Sequence, residues 1–268
     1  MSAVPEIPRI RATPGSPLPE MLIGLATERF NAAGVMIFEQ VFTPDHVAKL
    51  NADYSARYDA YHRDIAHADA LLVGDRRNMI SIAVSGPVND PVVYANPVIQ
   101  PLINSLLGGD VILGSVVAVT SLPGAEDQEF HIDMPLLFGG EDVDVRVPSY
   151  CLTLVLPLVD MNAENGTTAF YPGTHKSVLD EPADLDPVFP DVPVGDAILF
   201  DARVWHYGTA NVSSAPRPVF YNSYQRSWFR DVVNFGVQNP LVIADQELSQ
   251  VDAAYRHLFD WTRKPGRA

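Results

Sequence analysis

Cysteine, basic charge and long apolar runs are all scarce in these 268 residues. Cys151 is the single cysteine, which excludes an internal disulfide and any multi-cysteine metal site. Its place inside an apolar run reads as a buried core position. Metal chemistry, if present, must therefore use nitrogen and oxygen ligands, and a reducing cytoplasm is the expected compartment. Lysine and arginine number 18 against 33 acidic residues, a formal net charge of −15. A phosphate backbone is repelled by such a chain unless a local basic patch intervenes, and the Arg76-Arg77 pair with Arg63 some way off is not one. No apolar run reaches the roughly 18 residues needed for a membrane span. The first 25 residues lack the basic stretch leading into an apolar core that marks a signal peptide. Neither nucleic acid nor a membrane is an expected partner.

A hydrophobic fraction of 47% with 19% charged residues describes a globular chain. The length suits one domain with a sizeable core, so residues 1–268 are read as a single domain. Residues 1–20 carry five prolines and read as an extended N-terminal arm. Residues 20–33 show near-helical apolar spacing, and Gly34 stops them. Residues 35–38 form a short buried strand. Thr43-Pro44 then opens a second helix running to about residue 61, with Thr43 as N-cap and Pro44 at the first helical position. After Gly109, short apolar runs at 111–122, 150–158, 167–171, 197–200 and 218–224 alternate with turn residues. This pattern predicts an antiparallel sandwich or barrel, mainly β with flanking helices. Residues 245–262 read as a C-terminal helix.

The chemistry-bearing residues lie in the β-rich part. In Phe130-His131-Ile132-Asp133, a strand would place His131 and Asp133 on one face; alone, such a pair is better explained as a surface or turn pair. His206 adds a second imidazole at the end of Asp201-Ala202-Arg203-Val204-Trp205-His206. Two histidines and one carboxylate make a facial triad that leaves coordination positions open for a co-substrate and dioxygen, as in non-haem iron(II) oxygenases. Zinc is not excluded by the residues alone. Arg217 follows across turn-rich residues 208–216 and is expected to start the strand beside the one His206 ends. A buried arginine there needs an anion, and holds a carboxylate bidentately.

This ordered set resembles the phytanoyl-CoA dioxygenase family of iron(II)/2-oxoglutarate oxygenases. The resemblance rests on His131-x-Asp133, His206 and Arg217 in order. It rests equally on Leu156-Pro157-Leu158-Val159-Asp160-Met161 followed by Glu164-Asn165-Gly166-Thr167-Thr168-Ala169-Phe170-Tyr171-Pro172-Gly173-Thr174-His175-Lys176. The last stretch is similar to the family's Asn-Gly…Pro-Gly-Ser-His-Lys signature, with Thr174 in place of serine. The match covers roughly residues 35–224.

The family resemblance implies a double-stranded β-helix, the jelly-roll or cupin-like fold. It implies Fe(II) held by His131, Asp133 and His206, with 2-oxoglutarate and O2 as co-substrates and succinate and carbon dioxide as co-products. The layout is similar to that of family enzymes acting on fungal meroterpenoids and alkaloids. In those, residues at the positions of Gln128 and Thr168 contact 2-oxoglutarate. A basic residue on an earlier strand does so too, and Arg77 is preferred here over Arg76. Gly208 stands where some members place a serine. Because Asp133 is present, hydroxylation, desaturation or rearrangement is expected rather than halogenation.

The expected substrate is a small natural product, a lipid-like molecule or an amino-acid derivative. It would be bound by stretches 66–78, 134–147 and 224–239, with Trp228, Phe229 and Phe235 as a lid. His175 is given a structural role. The alternative is a jelly-roll metalloprotein that does not use 2-oxoglutarate. Oligomeric state stays open, a homodimer included.

Overall fold

The computed structural model describes residues 6–64, 67–235 and 238–262. The start of the N-terminal arm, Ala66 of the first substrate stretch, residues 236–237 of the third and the last six residues of the domain lie outside them.

One large sheet dominates. In spatial order its strands are β1 (Arg9–Arg11), β2 (Val35–Glu39), β8 (Ala197–Asp201), β6 (Cys151–Pro157), β10 (Arg217–Arg226), β5 (Val111–Ser121), β4 (Arg77–Ser81) and β3 (Leu71–Leu72). Only β1 and β2 run parallel; the other strand pairs are antiparallel. A smaller sheet pairs β7 (Thr168–Phe170) with β9 (His206–Gly208). Single bridges extend it on both sides, giving the row Val188, Phe170, His206, His131. Two facing antiparallel sheets are the jelly-roll expected from the sequence.

Both faces of the large sheet are covered, which is why its strands read as continuous apolar runs rather than alternating ones. Met36, Phe38, Leu152, Leu154, Leu156, Leu199 and Phe220 point outward into a core shared with the helices. Those helices are α1 (Glu20–Ala33), α2 (Pro44–Tyr58), α3 (Pro91–Tyr94) and α4 (Gln100–Leu107), with the short α5 (Asp245–Gln250) near the C-terminus. Val35, Ile37, Val155, Ile198, Phe200 and Val219 point inward, toward Phe170 of the smaller sheet and Val204 of the turn that leads into it. A bulge keeps this division intact: Ser223 pairs with Ser115 but Tyr224 with Leu113, leaving Gly114 as the extra residue.

Local signals account for the helix limits. Gly34 ends α1 at φ 72°, its N–H donating to the Phe30 carbonyl at 2.6 Å. The His175 ring stands where a Cβ on Gly34 would lie, so no other residue fits there. Thr43 Oγ1 accepts from His46 N at 3.2 Å, and Pro44 is the first residue of α2. That helix passes at Asp59 into a 3-10 turn ending at His62.

The structure corrects two expectations and qualifies a third. Residues 245–262 are not one helix: α5 stops at Gln250 and two 3-10 turns, Arg256–Leu258 and Asp260–Thr262, follow. Pairing gives β9 to the smaller sheet and β10 to the large one, so the strand of Arg217 is not the ladder neighbour of the strand of His206. The arm is partly tied down, because β1 pairs with β2 and both Ile7 and Leu18 are buried. Among the described residues, no helix is long and apolar enough to cross a membrane.

Candidate metal centre and cavity

β8 ends at Asp201, and the chain turns through 202–205 before β9 begins at His206. That turn is over-determined. Arg203 donates from Nε to Asp201 Oδ1 at 2.9 Å and from Nη2 to Oδ2 at 2.8 Å, with both residues almost fully buried. Ser149 donates to the same carboxylate at 2.6 Å. The Trp205 N–H donates to Thr174 Oγ1 at 3.0 Å. The threonine of the Pro-Gly-Thr-His stretch therefore supports the turn that delivers His206. Burial alone pushes the Asp201 carboxyl up, but the hydrogen bonds and charge of Arg203 hold it below its ordinary value.

His131 reaches His206 through one β-bridge, exchanging backbone hydrogen bonds of 2.9 Å in each direction. The strand expected over 130–133 does not continue past this pair. Asp133 sits in a bend, where its N–H and that of Met134 both donate to the Ala202 carbonyl. The bend, rather than strand alternation, aims the carboxylate at the two rings. Asp133 Oδ1 lies 3.5 Å from His206 Nε2 and 4.0 Å from His131 Nε2. The three ligand atoms fall within 4.8 Å of one another.

Each imidazole is oriented by its other nitrogen. His131 Nδ1 faces the Glu129 carbonyl and His206 Nδ1 the Val204 carbonyl, both at 2.9 Å. A carbonyl can only accept, so Nδ1 carries the proton and the Nε2 lone pair is free for a metal. Burial raises the Asp133 carboxyl, but His206, His131 and a 3.3 Å hydrogen bond from Thr153 overcome it and hold it below its usual range. Burial lowers His206, and the adjacent Asp133 outweighs this and raises it. His131 is lowered by burial and by His206. An anionic carboxylate and two oriented imidazoles are the donor set a divalent first-row cation takes.

The centre lies in a cavity of about 660 Å³, the size of a small-molecule site. Gln128, Thr168, Tyr221, Thr153 and Ser223 line it, with Met79, Val117, Val119, Met134 and Phe235 as apolar wall. Asp75, Asp127, Glu129 and Asp231 also contribute, and among the described residues no lysine or arginine lines it. Of the expected substrate stretches, the first supplies Leu72 to Asp75, the second Met134, and the third Asp231, Asn234 and Phe235. The lid is smaller than expected. Trp228 is 63% exposed, and Phe229 packs on Tyr150 instead, ring centroids 4.8 Å apart.

Arg217 is 2% exposed on the inward face of β10, four residues before Tyr221. Its Nε donates to the Asn165 carbonyl at 3.2 Å, while buried Nη1 has no partner. No ion pair forms to it among the described residues, and burial depresses its pKa. It does not itself line the cavity; Tyr221 and Thr168 stand at that end.

Arg77 opens β4 and is 1% exposed. Its Nη groups donate to the Glu126 and Thr209 carbonyls, and its Nε is buried without a partner. Arg76 instead points to the surface and bonds the Pro123 carbonyl at 2.7 Å. Gln128 holds backbone at both ends of its carboxamide, donating to Val73 O and accepting from Gly208 N at 2.8 Å. Sequence reasoning missed Thr153, Tyr221 and Asn234, which carry no motif. It also missed the Asp201–Arg203 pair, which a buried-strand end followed by an arginine hints at only weakly.

The model of the phytanoyl-CoA dioxygenase family (PhyH) matches residues 30–219. Dioxygenase af480 of Aspergillus fumigatus is 28% identical over 215 residues, covering 78% of this chain and 59% of its own length. The Fe(II)/2-oxoglutarate-dependent dioxygenase nvfF of Aspergillus novofumigatus is 24% identical over 224 residues, 78% of this chain and 72% of that protein. Among solved structures, the epimerase SnoN in complex with Fe3+, alpha ketoglutarate and nogalamycin RO superposes with a TM-score of 0.60 at 18% identity. That match covers 82% of this chain and 94% of SnoN, and establishes likeness of fold.

Proposed function

The chain belongs to the phytanoyl-CoA dioxygenase family, and from that premise we propose that it is an Fe(II)- and 2-oxoglutarate-dependent dioxygenase acting on a small organic molecule. The observation that carries this is the convergence of His131, Asp133 and His206, each ring held by its Nδ1, at a cavity with a buried, unpaired Arg217 beyond one end. His131, Asp133 and His206 hold the iron. Iron held there would activate O2, the oxidant, which takes two electrons from 2-oxoglutarate, giving succinate and carbon dioxide, and two from the substrate.

Arg217 pairs with the far carboxylate of 2-oxoglutarate, which answers both its lack of a counter-ion and the free Nη1. Thr168 and Tyr221 flank the path between Arg217 and the metal ligands. Arg77 braces the loops at 126 and 209 through its Nη groups, and its buried guanidinium adds positive charge near the co-substrate's end of the cavity. Gln128 sets the wall beside Gly208. The apolar wall excludes water and positions the target carbon.

Asp133 would supply a carboxylate ligand where a halogenase would need room for a halide, which favours hydroxylation, desaturation or rearrangement. The carboxylate-bearing rim without lysine or arginine suits an uncharged or amine-bearing natural product or lipid-like molecule, not an acyl-CoA with its phosphates. Buried Cys151 fits a reducing cytoplasm.

The test is anaerobic addition of Fe(II) and 2-oxoglutarate, followed by the metal-to-ligand charge-transfer absorption of the chelate. Wild type gives the band, His131→Ala does not, and Arg217→Ala gives it only at much higher 2-oxoglutarate. Iron-loaded wild type without a band would make the chain a jelly-roll metalloprotein that does not use 2-oxoglutarate.

A further inference from the structure

After β10 the chain returns along the cavity wall through residues 227–235. Phe229 anchors this segment in a small cluster with Met134, Tyr150, Cys151 and Ala202. Asp231 then organises a tight turn: its Oδ1 accepts from Val233 N at 2.9 Å and Asn234 N at 3.0 Å, and its Oδ2 from Asn234 Nδ2 at 3.0 Å. Asn234 is thereby fixed against the cavity, which both it and Phe235 line. Its Nδ2 also donates to the backbone carbonyl of Asp133, again at 3.0 Å.

That carbonyl accepts from no backbone N–H among the described residues. Asp133 lies outside any strand, so no ladder holds its peptide. Its N–H and that of Met134 are tied to the Ala202 carbonyl, and its carboxylate accepts from Thr153 at 3.3 Å and faces His206 Nε2 at 3.5 Å. Without Asn234 the peptide that follows Asp133 is held on its N–H side alone, by Met134 to Ala202, and its tilt about that bond would shift the carboxylate relative to the two imidazoles.

We propose that Asn234 is a positioning residue for the metal centre. Through the Asp133 carbonyl it holds the bend that presents the carboxylate, and it ties that bend to the segment lining the substrate cavity. This rests on the metal-site reading above. A molecule filling the cavity presses on Asn234 and Phe235, and so on the hydrogen bond that sets Asp133. Hydrogen-bond partners that orient metal ligands typically change metal affinity about 10- to 100-fold when removed. Asn234 acts through the backbone and should fall near the lower end.

The experiment titrates the full chain with Co(II), reading the visible absorption of the bound ion and its band position, with melting temperatures of the metal-free proteins alongside. Wild type, Asn234→Ala, Asn234→Leu and Val232→Ala are compared. Asn234→Leu keeps the branching at Cγ and removes the donor; Val232→Ala alters an 86% exposed side chain on the same segment. The expected result is Co(II) affinity about tenfold weaker with a displaced band in both Asn234 variants, and wild-type behaviour in Val232→Ala. Wild-type affinity in Asn234→Leu would overturn the proposal, because packing alone would then suffice. So would equal loss in Val232→Ala, which would mark a general effect of the segment. Failure of wild type to bind Co(II) would instead overturn the metal-site reading, and this inference with it.

Discussion

Gln128 occupies the space where Gly208 would carry a side chain. A Cβ on Gly208 would lie 2.5 Å from Gln128 Oε1, the atom that accepts the Gly208 N–H at 2.8 Å. On the other side, a Cβ on Gly74 would stand 3.0 Å from Gln128 Cγ. Two glycines thus clear a slot for one glutamine, which bridges the turn after β3 to β9. A serine at 208, as in some family members, would require the Gln128 carboxamide to shift and give up its present position.

The slot predicts non-additivity. Gly208→Ala should cost about 1–3 kcal/mol by overpacking. Gln128→Ala should cost about 1–3 kcal/mol by leaving Gly208 N and Val73 O without their partner. The double variant should be more stable than the sum of the two losses by more than about 0.5 kcal/mol. Urea denaturation of the four proteins measures this, and strict additivity would mean that the two residues do not compete for the same space.

Arg217 predicts a ligand-dependent effect rather than a simple loss. It is buried without a counter-ion, so Arg217→Met should leave the ligand-free protein as stable as wild type or more so. With a redox-inert metal loaded, 2-oxoglutarate at about 100 times its Kd should stabilise wild type by roughly 2.7 kcal/mol. Arg217→Met should gain almost none of that at the same concentration. Thermal melting with and without 2-oxoglutarate separates the two effects. An equal ligand-induced shift in both proteins would remove Arg217 from the binding site.

The Asp201–Arg203 pair predicts a signed pH dependence. The Asp201 carboxyl is depressed in the fold, so its contribution is complete above the unfolded carboxylate value of about 3.9 and is lost as pH falls through the lower folded value. Arg203→Ala leaves the carboxylate buried without its counter-charge and should cost about 3–5 kcal/mol at neutral pH. There the Asp201 pKa moves above the unfolded value, so acidification toward pH 4 relieves the variant. The stability difference between wild type and variant should therefore be largest near neutrality and shrink on acidification. Denaturation at several pH values checks this; a constant difference would mean that Asp201 stays charged without Arg203.

Much of the fold was legible because it rests on local causes. The αL glycine at 34 and the Thr43-Pro44 cap mark the ends of their helices without reference to anything distant. The apolar runs at β5, β6, β8 and β10 declare strands buried on both faces. The C-terminal helix was over-read because helical spacing persists through a stretch that breaks at Val251, where the backbone is extended. The lid was over-read for a related reason: an aromatic near a cavity in sequence is as readily used for packing, as Phe229 is on Tyr150.

By itself the sequence determined the order of the donors, His131, Asp133, His206 and then Arg217, and the strand-rich frame that holds them. Tertiary structure decided which sheet His206 and Arg217 each join, how the bend at Asp133 closes on two rings, and that Arg77 rather than Arg76 turns inward. It also decided that Gln128 fills the space beside Gly208 and that Asn234 reaches Asp133. The physical reason is range. Caps, turns and periodicity follow from neighbours along the chain. Sheet register, cavity shape and the partner of a buried donor follow from contacts between segments far apart in sequence, which exist only once the two sheets have packed.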